Sequence, residues 1–185
     1  MIWLNKKKYA LITFAIIIVL LGVWSLFFKY GSIHESQIIS DVDKHITENF
    51  KKNHGRSSSQ NDVKIELSEN IGNKKFVLYS FNDSSMGARH GGYAIYEVKG
   101  NDKLKMTDFG WTSLSFNERF LVTTNNNIEQ TYLMVFGMNN VNEKQRYSCV
   151  CGNEEKIEEF SGEYFLRKYA MNNDDSIGFK KLDTE

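Results

Sequence analysis

The sequence predicts an α+β protein with an N-terminal transmembrane helix, one amphipathic helix and then a mainly antiparallel β domain. Three observations lead there. An uncharged apolar run lies near the start of the chain. The hydrophobic period is then 3.6 over one segment and 2 over most of the remainder. Strand-sized runs separated by Gly and Asn turns continue to the C-terminus, without the βαβ alternation of a doubly wound or dinucleotide-binding fold.

Residues 1–9 form a short tail that contains Lys6, Lys7 and Lys8, and residues 10–28 carry no charged side chain. As a helix rising about 1.5 Å per residue, that run spans about 28 Å, close to the ~30 Å hydrocarbon core of a bilayer. Trp3, Tyr9, Trp24 and Tyr30 flank it or lie near its far end, where amphipathic rings favour the interface. Thr13 and Ser25 can bond back to helix carbonyls. Lysines concentrated on the N-terminal side place the tail in the cytoplasm and residues 32–185 outside it. A cleaved secretory signal peptide is the competing reading. No small-x-small site follows in Phe27-Phe28-Lys29-Tyr30, and no nearby cysteine suits a lipoprotein signal. We therefore expect a retained single-pass anchor in the cell membrane.

All 23 acidic residues lie beyond residue 30, whereas Lys6, Lys7, Lys8 and Lys29 of the 23 basic residues precede it. The outer part thus carries 19 positive against 23 negative charges, a net of −4. A mildly acidic domain argues against a nucleic-acid partner and against tight adhesion to anionic lipid. Lysine and asparagine are abundant and proline is absent, which by codon composition suggests a low-GC bacterium. The Asn82-Asp-Ser sequon then carries little weight. About 150 outer residues suffice for one domain with an ordinary core, and the 2 cysteines cannot make a disulfide scaffold.

Ser32-Ile-His-Glu35 has the form of a capping box. Ile38, Ile39, Val42, Ile46 and Phe50 follow at helical spacing, so an amphipathic helix is expected over 33–52. A polar loop over 53–61 ends it. Val63, Ile65 and Leu67 then alternate with polar residues, and 76–81 is a richer run. Residues 93–98 and 104–106, joined by Gly100-Asn-Asp, read as a hairpin. Residues 120–124 and 131–136, joined by Asn125-Asn-Asn127, read as a second. Further strands are expected over 146–151, 163–170 and 177–182. The abundant aromatics, 14% of residues, are explained most simply as sheet core.

Two features invite chemistry. Cys149 and Cys151 share one face of a strand, with Cα atoms about 6.5 Å apart, at the limit for a disulfide. Three readings stay open: small buried hydrophobes, a strained or intermolecular disulfide, and a thiophilic metal site. Metal needs further ligands, and His34, His45, His54 and His90 show no spacing that supplies them. The second feature is Gly87-Ala-Arg-His-Gly-Gly92, expected as a loop between strands. Arg89, His90, Gly91 and Gly92 are its candidate ligand-binding residues, because glycine backbone N–H groups and a cation suit an anion. The nucleophile elbow G-x-S-x-G and the phosphate-loop Gly-Lys-Ser/Thr are both absent.

Glu154, Glu155, Glu158 and Glu159 around Lys156 read as a solvated face. Asn172-Asn-Asp-Asp175 lacks the spacing of an EF-hand loop and reads as a turn. No catalytic residue, metal site or cofactor is expected. The function expected is that of an anchored extracytoplasmic binding or accessory protein, with a membrane or envelope protein as partner. The alternative is a surface hydrolase or thiol-redox protein using Arg89 and His90, or Cys149 and Cys151.

Overall fold

A computed structural model of the chain describes residues 32–54, 62–83, 88–99, 103–112, 116–139, 145–151, 154–171 and 177–182. The expected tail and membrane helix lie outside these residues, as do Gly100-Asn-Asp and Asn172-Asn-Asp-Asp175. Among the described residues no helix is long and apolar enough to cross a membrane.

The leading helix forms, but later than its sequence signals suggest. Ile33–His34 is a short strand, β1, paired with Leu104 and Lys103. A 3₁₀ turn, Glu35–Gln37, and the α-helix α1, Ile38–His54, follow. Pairing holds Ile33 and His34 extended, so Ser32 does not cap the helix. Instead the His34 N–H donates to Gln37 Oε1 at 3.0 Å, the reach-back half of a capping box.

The rest is mainly antiparallel β. The strands are β2 (Lys64–Ile71), β3 (Lys74–Asp83), β4 (Ala88–Val98), β5 (Lys103–Thr112) and β6 (Phe116–Asn125). Then come β7 (Ile128–Met138), β8 (Gln145–Cys151), β9 (Glu154–Phe160), β10 (Tyr164–Met171) and β11 (Ile177–Lys181). They form a large sheet ordered β1-β5-β4-β3-β2, a middle sheet β10-β7-β6 and an outer sheet β11-β8-β9. Both expected hairpins are present. In the second, Asn125 pairs with Ile128, and Asn126 and Asn127 take φ values of 48° and 64°. Asparagine tolerates this left-handed region better than other side-chain-bearing residues, and the two-residue turn matches the twist of the strands.

The sheets and the helix stack in four layers with three apolar interfaces. Ile38, Val42, Ile46 and Phe50 of α1 pack on Val77, Tyr79, Phe81, Ala94 and Tyr96 of the large sheet. On its other face, Phe76, Leu78, Tyr93 and Ile95 meet Leu121, Met134, Phe136 and Leu166 of the middle sheet. Leu133, Val135 and Phe165, from the reverse of the middle sheet, meet Tyr147 and Phe160 of the outer sheet. Runs such as 76–81 and 133–136 are continuously apolar or nearly so because alternate side chains enter different cores.

One sequence expectation fails here, and one strand is unexpected. Residues 88–92 are not a loop but the first half of β4: Arg89 pairs with Asn82, His90 with Phe81, Gly91 with Ser80 and Gly92 with Tyr79. Residues 154–160 form a strand at the edge of the outer sheet, and Glu155, Lys156 and Glu159 are exposed on it, as a solvated face requires. Glutamate and lysine have low strand propensity, which hid it; charge on an edge strand also discourages pairing with other chains.

Candidate functional site

The glycines of β4 have a structural task. A Cβ on Gly92 would lie 2.3 Å from the Gly110 carbonyl oxygen and 2.4 Å from Tyr79 Oη. Tyr79 lies across this gap and donates its hydroxyl to the Gly110 carbonyl at 3.2 Å. The reciprocal arrangement occurs on the other face, where a Cβ on Gly110 would be 2.6 Å from the ring of Tyr93. Each glycine is paired directly with the tyrosine it accommodates. Burial pushes the Tyr79 hydroxyl far above the ordinary tyrosine range, with Tyr93 adding to the shift, so it stays a neutral donor.

Arg89 and His90 are adjacent, and the pleat sends them to opposite faces. Arg89 faces the middle sheet. Its Nη2 donates to Glu66 Oε1 at 2.7 Å and its Nη1 to Glu163 Oε1 at 2.7 Å. Nε and Nη2 also reach Ser80 Oγ, at 3.3 and 3.1 Å, and the guanidinium lies 5.4 Å from the centre of the Tyr164 ring. Ser80 in turn donates to Glu66 Oε1 at 2.6 Å, and Lys64 Nζ is 3.2 Å from Oε2.

Backbone geometry explains the convergence. The register of β2 slips between Ile65 and Leu67, and the bulge directs Glu66 toward Ser80 and Arg89. Glu163 lies in the turn between β9 and β10. Asn139 holds that turn, donating from Nδ2 to the carbonyls of Phe160 (3.2 Å) and Gly162 (2.7 Å) and from its N–H to that of Glu163 (2.8 Å). Burial alone would raise the Glu66 pKa. The hydrogen bonds from Ser80 and Lys64 and the charges of Lys64 and Arg89 outweigh it, holding the carboxyl below its ordinary value.

His90 faces the helix side. Its ring lies 5.4 Å from that of Phe81, which also meets Trp111 and Phe50. His90 Nε2 is buried and has no hydrogen-bond partner among the described residues. Arg89 and His90 are therefore not brought together to hold one ligand. Gly91 and Gly92 lie within the strand ladder between Tyr79, Ser80 and β5.

Beside the Arg89 cluster, the edge strands β2 and β10 flank a groove of about 270 Å³ lined by Leu67, Glu69, Ser161, Tyr164 and Leu166, among others. Lys168 Nζ and Glu69 Oε1, 2.5 Å apart, join its two sides. Ser80 and Glu66 have the atoms of a nucleophile and a base, but Ser80 is 1% exposed and also accepts from Arg89. The arrangement is a hydrogen-bonded tie between sheets, without the access that nucleophilic chemistry requires.

Cys149 is buried on the face of the outer sheet that meets the middle sheet, and pairs with Lys156 and Phe179. Cys151 pairs with Glu154 and Ile177 at the same pleat phase; its side chain lies outside the described set. Of the four histidines, His45 has its Nδ1 2.8 Å from the Asp41 carbonyl oxygen and rests 5.6 Å from the Phe109 ring. His34 is exposed on β1, and the side chain of His54 is outside the described set. Among the described residues no group of three or more His, Cys, Asp or Glu is placed to hold a metal ion.

The importance of Glu66, Ser80, Glu163 and Tyr164 was not read from the sequence. The bulge that aims Glu66 has no local signature, and Glu163 lies 74 residues from Arg89. Comparison with protein-family models, curated proteins and solved structures finds no match.

Proposed function

We propose that this protein is a single-pass, membrane-anchored domain that works outside the cytoplasm by binding an envelope partner. The observation that carries the reading is the uncharged run of residues 10–28, preceded by three lysines and followed within five positions by strand β1. The β domain is the working part. Within it Arg89 bonds Glu66, Glu163 and Ser80, and His90 points to the opposite face, so these two side chains do not form a joint site. The hydrolase alternative needs those two side chains on one substrate and gains no support from this geometry.

The test is topology mapping of the full chain in a low-GC bacterium. The expected result is a carbonate-resistant membrane protein whose C-terminal domain is digested by protease added to intact protoplasts. A protein released by carbonate, or a domain degraded only after lysis, would sink the reading. Crosslinking in the same membranes should then capture an envelope protein.

A further inference from the structure

One end of the domain gathers strand β1, several turns and a set of exposed apolar side chains. At this end Ile33 and His34 pair with Leu104 and Lys103, Val98 pairs with Leu104, and Lys74 pairs with Glu97. The Val98 N–H donates to the Asn73 carbonyl at 2.9 Å, and the Thr124 N–H to Asn73 Oδ1 at 2.8 Å. These bonds bring the Asn126–Asn127 turn to the same end. Ile39 in the first turn of α1 is 51% exposed, Val98 37% and Ile128, just past the asparagine turn, 69%. Lysines accompany them. Lys99 binds Glu97 at 2.8 Å, and Lys74 and Lys105 act on the same carboxylate, whose pKa they help to lower. Lys103 is exposed on the same turn. Glu35 is bound by Lys75 at 2.6 Å, and Glu129 is the acidic neighbour on the β6–β7 hairpin.

We propose that this end docks on the anionic phospholipid surface of the membrane that holds the anchor. Ile39, Val98 and Ile128 enter the headgroup region, and Lys74, Lys99 and Lys103 face lipid phosphates. The inference rests on the reading of residues 10–28 as an anchor.

Covalent reach supports it. Even fully extended, the chain from Phe28 to Ser32 covers only about 14 Å, so β1 cannot stand far from the bilayer. Tethering makes the contact intramolecular, and a weak surface then suffices. Apolar side chains beside lysines are the combination by which interfacial surfaces bind anionic lipid. The net charge of −4 on the outer part opposes adhesion elsewhere. Screening over about 8–10 Å keeps distant carboxylates from cancelling the lysines at this end.

The experiment uses the full chain, methyl-labelled at Ile and Val, in nanodiscs of mixed phosphatidylglycerol and phosphatidylcholine. A small fraction of the lipid carries a gadolinium chelate on its headgroup. The methyl signals of Ile39, Val98 and Ile128 are expected to broaden several-fold more than those of Val150 and Ile157 on the outer sheet. The difference should shrink in pure phosphatidylcholine and in a Lys99→Glu/Lys103→Glu variant. Equal broadening at Ile128 and Ile157, with Ile16–Ile18 shielded from a water-soluble chelate, would overturn the docking and leave the anchor standing. Exposure of Ile16–Ile18 to that chelate would overturn the anchor and the docking with it. Undiminished broadening in phosphatidylcholine would overturn the role of lipid charge.

Discussion

The two faces of the large sheet meet different neighbours and treat their polar groups differently. The face under α1 is an aromatic layer of Tyr79, Phe81, Tyr96, Phe109 and Trp111. Its tyrosines donate inward, Tyr79 to the Gly110 carbonyl and Tyr96 to Asp41 Oδ2 at 3.1 Å. The face against the middle sheet has an apolar centre rimmed by ion pairs between sheets. Arg89 with Glu163, Arg119 with Asp108 and Lys168 with Glu69 each join one sheet to the other. The helix is fixed by side-chain shape along one amphipathic stripe. Two sheets packed face to face have more freedom to slide, and charged pairs at the rim fix their alignment.

Four substitutions, from the largest expected effect to the smallest, sharpen or break that contrast. Phe136→Ala removes the ring set 5.0 Å from Phe76 and 5.4 Å from Tyr93 at the centre of the sheet–sheet interface. It should cost about 3–5 kcal/mol, read as the denaturation midpoint of the full chain in detergent. A loss below about 1 kcal/mol would mean that the two sheets do not share a core. On the helix face, Gly92→Ala forces a methyl against Gly110 and Tyr79, and should cost about 2–3 kcal/mol. Tyr79→Phe in the same background would not relieve it, because the Gly110 backbone clash remains.

Glu66→Gln tests the rim. A carboxylate whose folded pKa is depressed stabilises the fold above its ordinary value of 4.5, and that contribution fades as pH falls through the lower folded value. The variant should lose about 1–2 kcal/mol at pH 7. The difference from wild type should narrow below pH 4.5; a gap that stays constant down to pH 3 would count against the carboxylate's role. His90→Phe reverses the sign. It replaces a buried ring nitrogen that lacks a partner among the described residues with carbon beside Phe81 and its aromatic neighbours, and should raise stability by about 1 kcal/mol. A loss instead would show that His90 Nε2 has a hydrogen-bonding task.

Much of the local structure was legible. The stripe Ile38, Val42, Ile46 and Phe50 marked the helix, although pairing of Ile33 with Leu104 delayed its start. Asn126 and Asn127 marked the tight turn. The Arg89–Gly92 segment was misread because adjacent glycines usually signal a turn. Here Gly92 is opposite Tyr79, and the signal for it lies on another strand. β9 was missed because its charges mask a strand whose inward Phe160 completes the third core.

The sequence by itself determined the amphipathic helix and most of the strands in their order, the uncharged run at residues 10–28 and the acidic balance of the residues beyond it. These depend on periodicity and composition, which are local. The tertiary structure decided the four-layer stack, the separation of Arg89 from His90, and the meeting of Glu66, Ser80 and Glu163 at one guanidinium. A strand's alternation says that it has two faces, but which partner covers each is set by contacts between residues far apart in the chain.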